Sequence, residues 1–248
     1  AFFLLDRGVL KYFISDEPGF KLAWNSHVYE DIAVGKIGES GYLITAEPSN
    51  RCRIWNRSTG EEVASWSLKE VHPQMVEKFL YSTATKSLIC ESSDRIISVI
   101  PCEEIEGQGI KPISGPQVQF PGVLPVLIRN DSCLAYKDER AFVIYNLVDK
   151  REEFRLEDEM HAIDRFTFTT HHETVFLAFS NRTIEKRDLH SSESPPTSWT
   201  APARITSLAM TPDDKTLIVA TDDQKLTLWS TSQGILMHSI EHPVTKQM

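Results

Sequence analysis

Glycine is scarce in this chain, 11 residues of 248, and no glycine-rich run offers backbone N–H groups to a phosphate. Neither a Gly-x-Ser-x-Gly elbow nor a His-Glu-x-x-His pair occurs, so no catalytic constellation can be named, and a non-enzyme is expected. Cysteine is limited to Cys52, Cys90, Cys102 and Cys133, without Cys-x-x-Cys spacing. They read as buried reduced thiols of a cytoplasmic protein rather than as disulfides or metal ligands. No apolar stretch approaches the ~20 residues that span a bilayer, and Ala1–Leu5 is too short for a signal-peptide core. Lys and Arg total 26 against 35 Asp and Glu, a net charge of −9 with no basic run, which argues against nucleic acid or an anionic membrane as partner. No cofactor, metal or small-molecule substrate is expected. The chain begins mid-pattern at Ala1 and reads as part of something longer.

What is present is a repeat. Hydrophobic residues make up 41% and charged ones 25%, enough to bury a core. The stretch Ile205–His242 holds four short apolar runs, Ile205–Met210, Leu217–Ala220, Leu226–Trp229 and Ile235–Ile240. Thr211–Asp214, Asp222–Gln224 and Ser230–Gly234 separate them, and Pro, Asp and Gly each favour a turn for a physical reason. Four antiparallel strands of this size make one small sheet.

The same unit recurs along the chain. Tyr12, Trp55, Ile100, Tyr145, Arg187 and Trp229 occupy one third-strand position, at spacings of 43, 45, 45, 42 and 42 residues. Six residues before each stand Asp6, Ser49, Asp94, Glu139, Asn181 and Asp223, all suited to a tight turn. Three residues before each stand Val9, Cys52, Ile97, Phe142, Ile184 and Leu226, all apolar, as one face of a strand requires. Five four-stranded units are complete. Residues 2–5, 9–14 and 20–24 supply three strands of another, and Pro243–Met248 could begin a first strand. The ends either join to complete a sixth blade, setting Val244–Met248 beside Ala1–Leu5, or belong to a larger ring; closure removes exposed strand edges.

The Asp-Asp-x-x-Leu-x-Leu-Trp run at 222–229, with the following His242, resembles a WD40 repeat. The resemblance implies an all-β propeller over 1–248, a single domain or part of a larger propeller. It implies a hydrogen-bonded network among Asp223, Thr221 and Trp229, with His72, His161 and His242 preceding blades, so that Asp6, Asp94, Asp223, Trp55 and Trp229 are structural anchors. It further implies a scaffold that binds other proteins through loops held in a ring. The degenerate repeats also resemble the C-terminal propellers of NACHT and WD repeat NTPases, which implies a sensor or autoinhibitory module of a multidomain protein. On the turn face, Asp222, Glu139, Arg51, Arg182 and Arg204 are candidate interaction residues, with the carboxylates expected to favour a basic segment of a partner. A propeller enzyme or ligand-binding propeller using its central channel is the alternative; the Val, Leu, Phe and Ile of the innermost strands leave it few polar groups.

Other features have bland readings. Pro101–Gln117 and His190–Ser198 read as surface insertions, with partner contact or modification at Ser194 as the functional reading. Trp24, Trp66 and Trp199 share an outer-strand position and read as packing between blades. His171-His172-Glu173 aligns with Asp213-Asp214-Lys215 and reads as a hairpin rather than a metal site. Asp223 is expected to matter more to stability than Asp213, because only Asp223 occupies a turn position repeated around the chain.

Overall fold

The computed structural model describes strand backbones at 2–6, 9–16, 19–27 and 33–37, and then residues 42–47, 49–69, 74–105, 109–113, 118–157, 160–190 and 195–241. Every regular element among them is a β-strand. The first sheet contains β1 (Phe2–Asp6), β2 (Val9–Asp16) and β3 (Gly19–His27); the second, β4 (Ala33–Ile37), β5 (Tyr42–Ala46), β6 (Arg51–Asn56) and β7 (Glu62–Ser67). The third contains β8 (Val76–Ser82), β9 (Ser87–Ser92), β10 (Ile96–Ile105), β11 (Gly109–Pro112) and β12 (Val118–Pro121). The fourth is β13 (Val123–Ile128), β14 (Cys133–Asp138), β15 (Ala141–Asn146) and β16 (Arg151–Glu157); the fifth, β17 (Ile163–Phe168), β18 (Thr174–Phe179), β19 (Thr183–Asp188) and β20 (Thr197–Thr200). The sixth is β21 (Ile205–Met210), β22 (Thr216–Thr221), β23 (Lys225–Ser230) and β24 (Leu236–Glu241). Sequential neighbours pair, the meander of a propeller blade, except that β12 pairs with β10 rather than with β11; five blades are complete and one has three strands. The chain divides into two compact units, Ala1–Tyr136 with Tyr145–Arg151, and Lys137–Ile144 with Glu152–Met248.

The expected register is the observed one. Leu43, Leu88, Val175 and Leu217 stand opposite Trp55, Ile100, Arg187 and Trp229. A slip of one residue would turn each buried set outward, so the apolar alternation fixes the pairing. Backbone bonds repeat with the same period. At one end of the blades, the N–H groups of Ser93, Ser180 and Asp222 donate to the carbonyls of Met75, Ala162 and Arg204, at 2.9, 2.8 and 2.9 Å. At the other end, Cys102, Leu147, Leu189 and Thr231 donate to Lys86, Ser132, Glu173 and Lys215, at 2.8, 2.9, 2.9 and 3.1 Å. Strand ends that sequence alone would leave unpaired are thereby closed.

In the first unit, Ile44, Cys52, Ile54, Phe79, Leu88 and Ile100 belong to one buried cluster, with Trp66 packed against it. The described part of Pro101–Gln117 corrects the surface-insertion reading. Glu103 and Glu104 pair with Lys111 and Ile110 in a β10–β11 hairpin, Ile110 is 2% exposed, and its carbonyl accepts the Trp66 indole N–H at 3.2 Å. Gly109 makes this approach possible: its φ is +84°, and a Cβ there would lie 2.8 Å from Ile54 Cγ2.

In the second unit, Phe176, Ile184, Leu217, Val219 and Trp229 form a cluster against which Trp199 packs, its ring centroid 6.3 Å from that of Trp229. Trp66 and Trp199 are thus packing residues; Trp24 stands opposite Tyr12 in the backbone register. The last blade departs from the pattern. Cys52, Ile97, Phe142 and Ile184 are fully buried, whereas Leu226 at the same position is 39% exposed, beside an exposed β24 that carries Leu236, Met237 and Ile240. The expected pairing of Val244–Met248, and Ser194, His72 and His242, lie outside the described residues.

Candidate functional site

The turns between second and third strands carry the candidate residues. Four of these turns share a closing bond: the N–H of Asn50, Arg95, Arg182 and Gln224 donates to the carbonyl of Glu47, Ser92, Phe179 and Thr221, at 2.8, 2.9, 3.0 and 3.1 Å. The donor residue is left-handed every time, with φ of 59°, 66°, 73° and 64°. In three blades the carbonyl of that residue, in Asn50, Arg95 and Arg182, then accepts from Leu68, Gly122 and Ala201 at the end of the fourth strand. A side chain on these turns is therefore presented from a backbone fixed at both sides.

Two of the turn acids serve their own blades. The Asp94 carboxylate accepts from the Ser92 hydroxyl. Asp223 accepts from the Thr221 hydroxyl at 2.5 Å, and Lys225 Nζ lies 3.5 Å away. The Thr221 bond, with help from Lys225, holds the Asp223 carboxyl below the ordinary carboxylate range. Asp6 ends β1, opposite Val9.

The expected Asp223–Thr221–Trp229 network is broken in two. Trp229 Nε1 donates to Thr227 Oγ1 at 2.9 Å on its own strand, because the second-strand position that could accept it holds Val219. In the second blade that position is Thr45, and Trp55 Nε1 donates to its hydroxyl at 2.8 Å. Trp55 and Trp229 are both buried, which agrees with an architectural role.

The interaction candidates remain exposed. In the second unit, Arg182 Nη1 donates to the Pro202 carbonyl at 3.1 Å, Asp222 N–H to the Arg204 carbonyl at 2.9 Å, and Arg204 Nη2 lies 3.8 Å from Asp164 Oδ2. Arg165, absent from the sequence reading, joins them by donating from Nε to the Thr206 carbonyl at 2.8 Å. The segment between β20 and β21 thus gathers Arg182, Arg204 and Asp222, and the start of β21 adds Arg165. The side chains of Asp222 and Glu139 make no hydrogen bond or ion pair among the described residues. Arg51, in the first unit, donates to Ser65 Oγ at 3.3 Å. The turn alignment marked Arg182, Arg204 and Asp222; Arg165 and the bonds to the carbonyls of a connection carried no sequence signal.

Two polar contacts to the start of β13, from half-buried Lys78 and buried Glu91, also had no sequence signal. Lys78 Nζ donates to the Pro125 carbonyl at 2.9 Å, and Glu91 accepts the Leu124 N–H at 3.1 Å, where Leu124 has φ 60°. Burial lowers the Lys78 pKa and raises that of Glu91. His172 and Asp214 occupy matched left-handed turn positions, φ 57° and 58°, each donating its N–H to a threonine carbonyl at 2.9 Å, from Thr169 and Thr211. The His171-His172 pair therefore sits in the turn of the β17–β18 hairpin, matching Asp213-Asp214 in the last blade, as the alignment led us to expect. Among the described residues, no group of three or more His, Cys, Asp or Glu side chains could hold a metal ion.

No protein-family model and no curated protein matches this chain in sequence. Its fold, by contrast, is shared by 1657 chains of solved structure, so fold alone cannot select a function. One is the β-propeller domain of Cps50 (Swd1) from Myceliophteria thermophila, 11% identical, with a TM-score of 0.66 over 97% of this chain and 85% of that one. The chain is a β-propeller in fold.

Proposed function

We propose that this chain is a non-catalytic protein-interaction scaffold, cytoplasmic, organised as a single WD40-like propeller or part of a larger one. The observation that carries this reading is the exposed cluster of Arg182, Arg204 and Asp222 around the β20–β21 connection, where Arg182 bonds the Pro202 carbonyl and the Asp222 N–H bonds the Arg204 carbonyl. Preorganised, exposed charge of both signs gives specificity and on-rate to a docking segment without chemistry of its own. In the second unit the segment recognised is one of mixed charge, meeting the carboxylate of Asp222 and the guanidinium groups of Arg204 and Arg182. The resemblance to the propellers of NACHT and WD repeat NTPases supports a finer reading, a sensor or autoinhibitory module within a longer protein.

The test is a pull-down with Asp222→Lys combined with Arg182→Ala, in a fold verified by circular dichroism. Loss of salt-sensitive partners is expected. Unchanged partners with unchanged salt sensitivity would remove the turn face from consideration. Co-purification of the propeller with an NTPase region of its own full-length protein, dependent on the same residues, would decide the finer reading.

A further inference from the structure

The opposite end of the third blade carries a cavity that the turn-face reading does not use. Its volume is about 380 Å³, and all its lining residues belong to the first unit. Val99, Pro101 and Val118 supply part of the wall; Tyr145, Val148 and Lys150 come from β15 and the turn after it. The volume lies near the lower end of ligand sites, room for one branched aliphatic side chain and a polar group beside it.

The turn is built to hold this wall still. Asn146 Oδ1 accepts the N–H groups of Val148 and Asp149 at 2.9 and 2.8 Å, its Nδ2 donates to Asp149 Oδ2 at 3.1 Å, and the Leu147 N–H donates to the Ser132 carbonyl at 2.9 Å. Leu147 is buried, while Val148 is held outward and 58% exposed. Lys150 follows in the left-handed region, φ 55°.

Charge selects the occupant. The neighbouring cations are paired, Arg151 with Asp149 at 3.8 Å and Lys86 with Glu104 at 3.6 Å. Lys150 has no ion pair and the Tyr145 hydroxyl no hydrogen bond among the described residues. Burial raises the Tyr145 phenol, so it stays protonated and can donate. The hydroxyls of Thr85 and Ser87 in the lining donate to Ser82 Oγ and the Thr85 carbonyl, so the cavity combines an apolar wall with two uncommitted donors, an ammonium and a phenol. We propose that it docks a short segment of a protein partner in which an aliphatic side chain stands next to a carboxylate: the side chain against Val99, Val118 and Val148, the carboxylate on Lys150 and Tyr145. The choice of a protein as occupant rests on the interaction-module reading; the site does not.

Methyl NMR of the whole chain tests it, with N-acetyl-leucyl-glutamate and N-acetyl-leucyl-glutamine as probes. Saturable shifts at the Val99, Val118 and Val148 methyls are expected with the glutamate probe. Binding should be about fivefold weaker with glutamine or in Lys150→Glu, the upper scale of one partly exposed ion pair. Val148→Ser, on an exposed turn that keeps its Asn146 bonds, should weaken both probes. No saturable shift at millimolar probe, or equal binding of both probes with no effect of Lys150→Glu, would overturn the site. Asp222→Lys with Arg182→Ala should leave the probe shifts intact; if they vanish in that variant while its fold persists, the cavity is not an independent site. Loss of the turn-face pull-down effect with the shifts retained would refute the turn-face reading alone.

Discussion

The second and last blades share a register yet differ in cover. Cys52 stands opposite Trp66 in the second blade, and Leu226 opposite Ile240 in the last. Cys52 is fully buried, with Trp66 packed against the core and bonded to Ile110 of the β10–β11 hairpin; Leu226 and Ile240 are 39% and 52% exposed. Equivalent positions in a repeat are thus not equivalent in energy. What a blade residue contributes depends on whether another element lies over its face, and apolar pattern alone reports the face but not the cover.

Truncation is the strongest way to break this comparison. Trp66→Ala should destabilise by about 3 kcal/mol, the low end for large aromatic truncations because the ring is only partly buried. Ile240→Ala should change stability by less than ~0.5 kcal/mol, as surface substitutions do. Urea unfolding midpoints measure both. A loss at Ile240 as large as that at Trp66 would mean that the last blade's outer strand is covered in solution.

A smaller effect comes from the two glycines that admit close packing. A Cβ at Gly109 would meet Ile54 at 2.8 Å, and one at Gly234 would meet the Trp199 ring at 2.9 Å; both residues have positive φ, +84° and +66°. Ile54 is fully buried and cannot give way, whereas Trp199 is half-buried and can shift. Gly109→Ala should therefore cost about 2 kcal/mol and Gly234→Ala about 1 kcal/mol. The reverse order in thermal unfolding would contradict the difference in packing.

Smaller still is a difference in reactivity. Burial raises the thiol pKa of Cys52, with the Glu47 charge adding to it; burial also raises that of Cys90, and Cys102 is pushed up to about 12. Iodoacetamide at pH 8 should leave all three unmodified in the folded protein and label them in urea. Labelling of Cys52 in native buffer would show that the second-blade core opens locally.

Much of this was legible in the sequence and some was not, for a definite reason. The five four-stranded repeats, the three strands before them and the shared third-strand position follow from period-two alternation and turn residues, both local properties. The hairpin within Pro101–Gln117 escaped notice because its value lies in Ile110 reaching the core of another blade, a long-range contact. The Trp229 bond to Thr227 instead of Thr221 turns on which neighbouring position holds a hydroxyl, a choice made by register. The repeat marked Arg182, Arg204 and Asp222 as turn-face residues, but the carbonyl bonds that hold them, and Arg165 beside them, are encoded in no side-chain pattern.

The least effect is expected where sequence suggested a contrast, between Asp223 and Asp213 in the last blade. The repeated turn position favours Asp223, but Asp213 holds its own turn in the same manner, accepting from the Thr211 hydroxyl at 2.7 Å and the Lys215 N–H at 3.2 Å. The hydroxyl bond is the leading cause that holds each carboxyl below its ordinary range, Thr221 for Asp223 and Thr211 for Asp213. A depressed folded pKa means that the stabilisation is present above the unfolded value, ~3.9, and is lost as pH falls through it toward the folded one. Asp223→Asn and Asp213→Asn should therefore shift the urea midpoint equally at pH 7, and both gaps from the parent should narrow as pH falls below about 4. Both groups are exposed, so salt should shrink the two shifts together. A larger shift for Asp223→Asn would restore the sequence-based ranking, with the turn position worth more than the bonds made there; gaps that stay constant with pH would show that the hydroxyl bonds do not depend on the carboxylate charge.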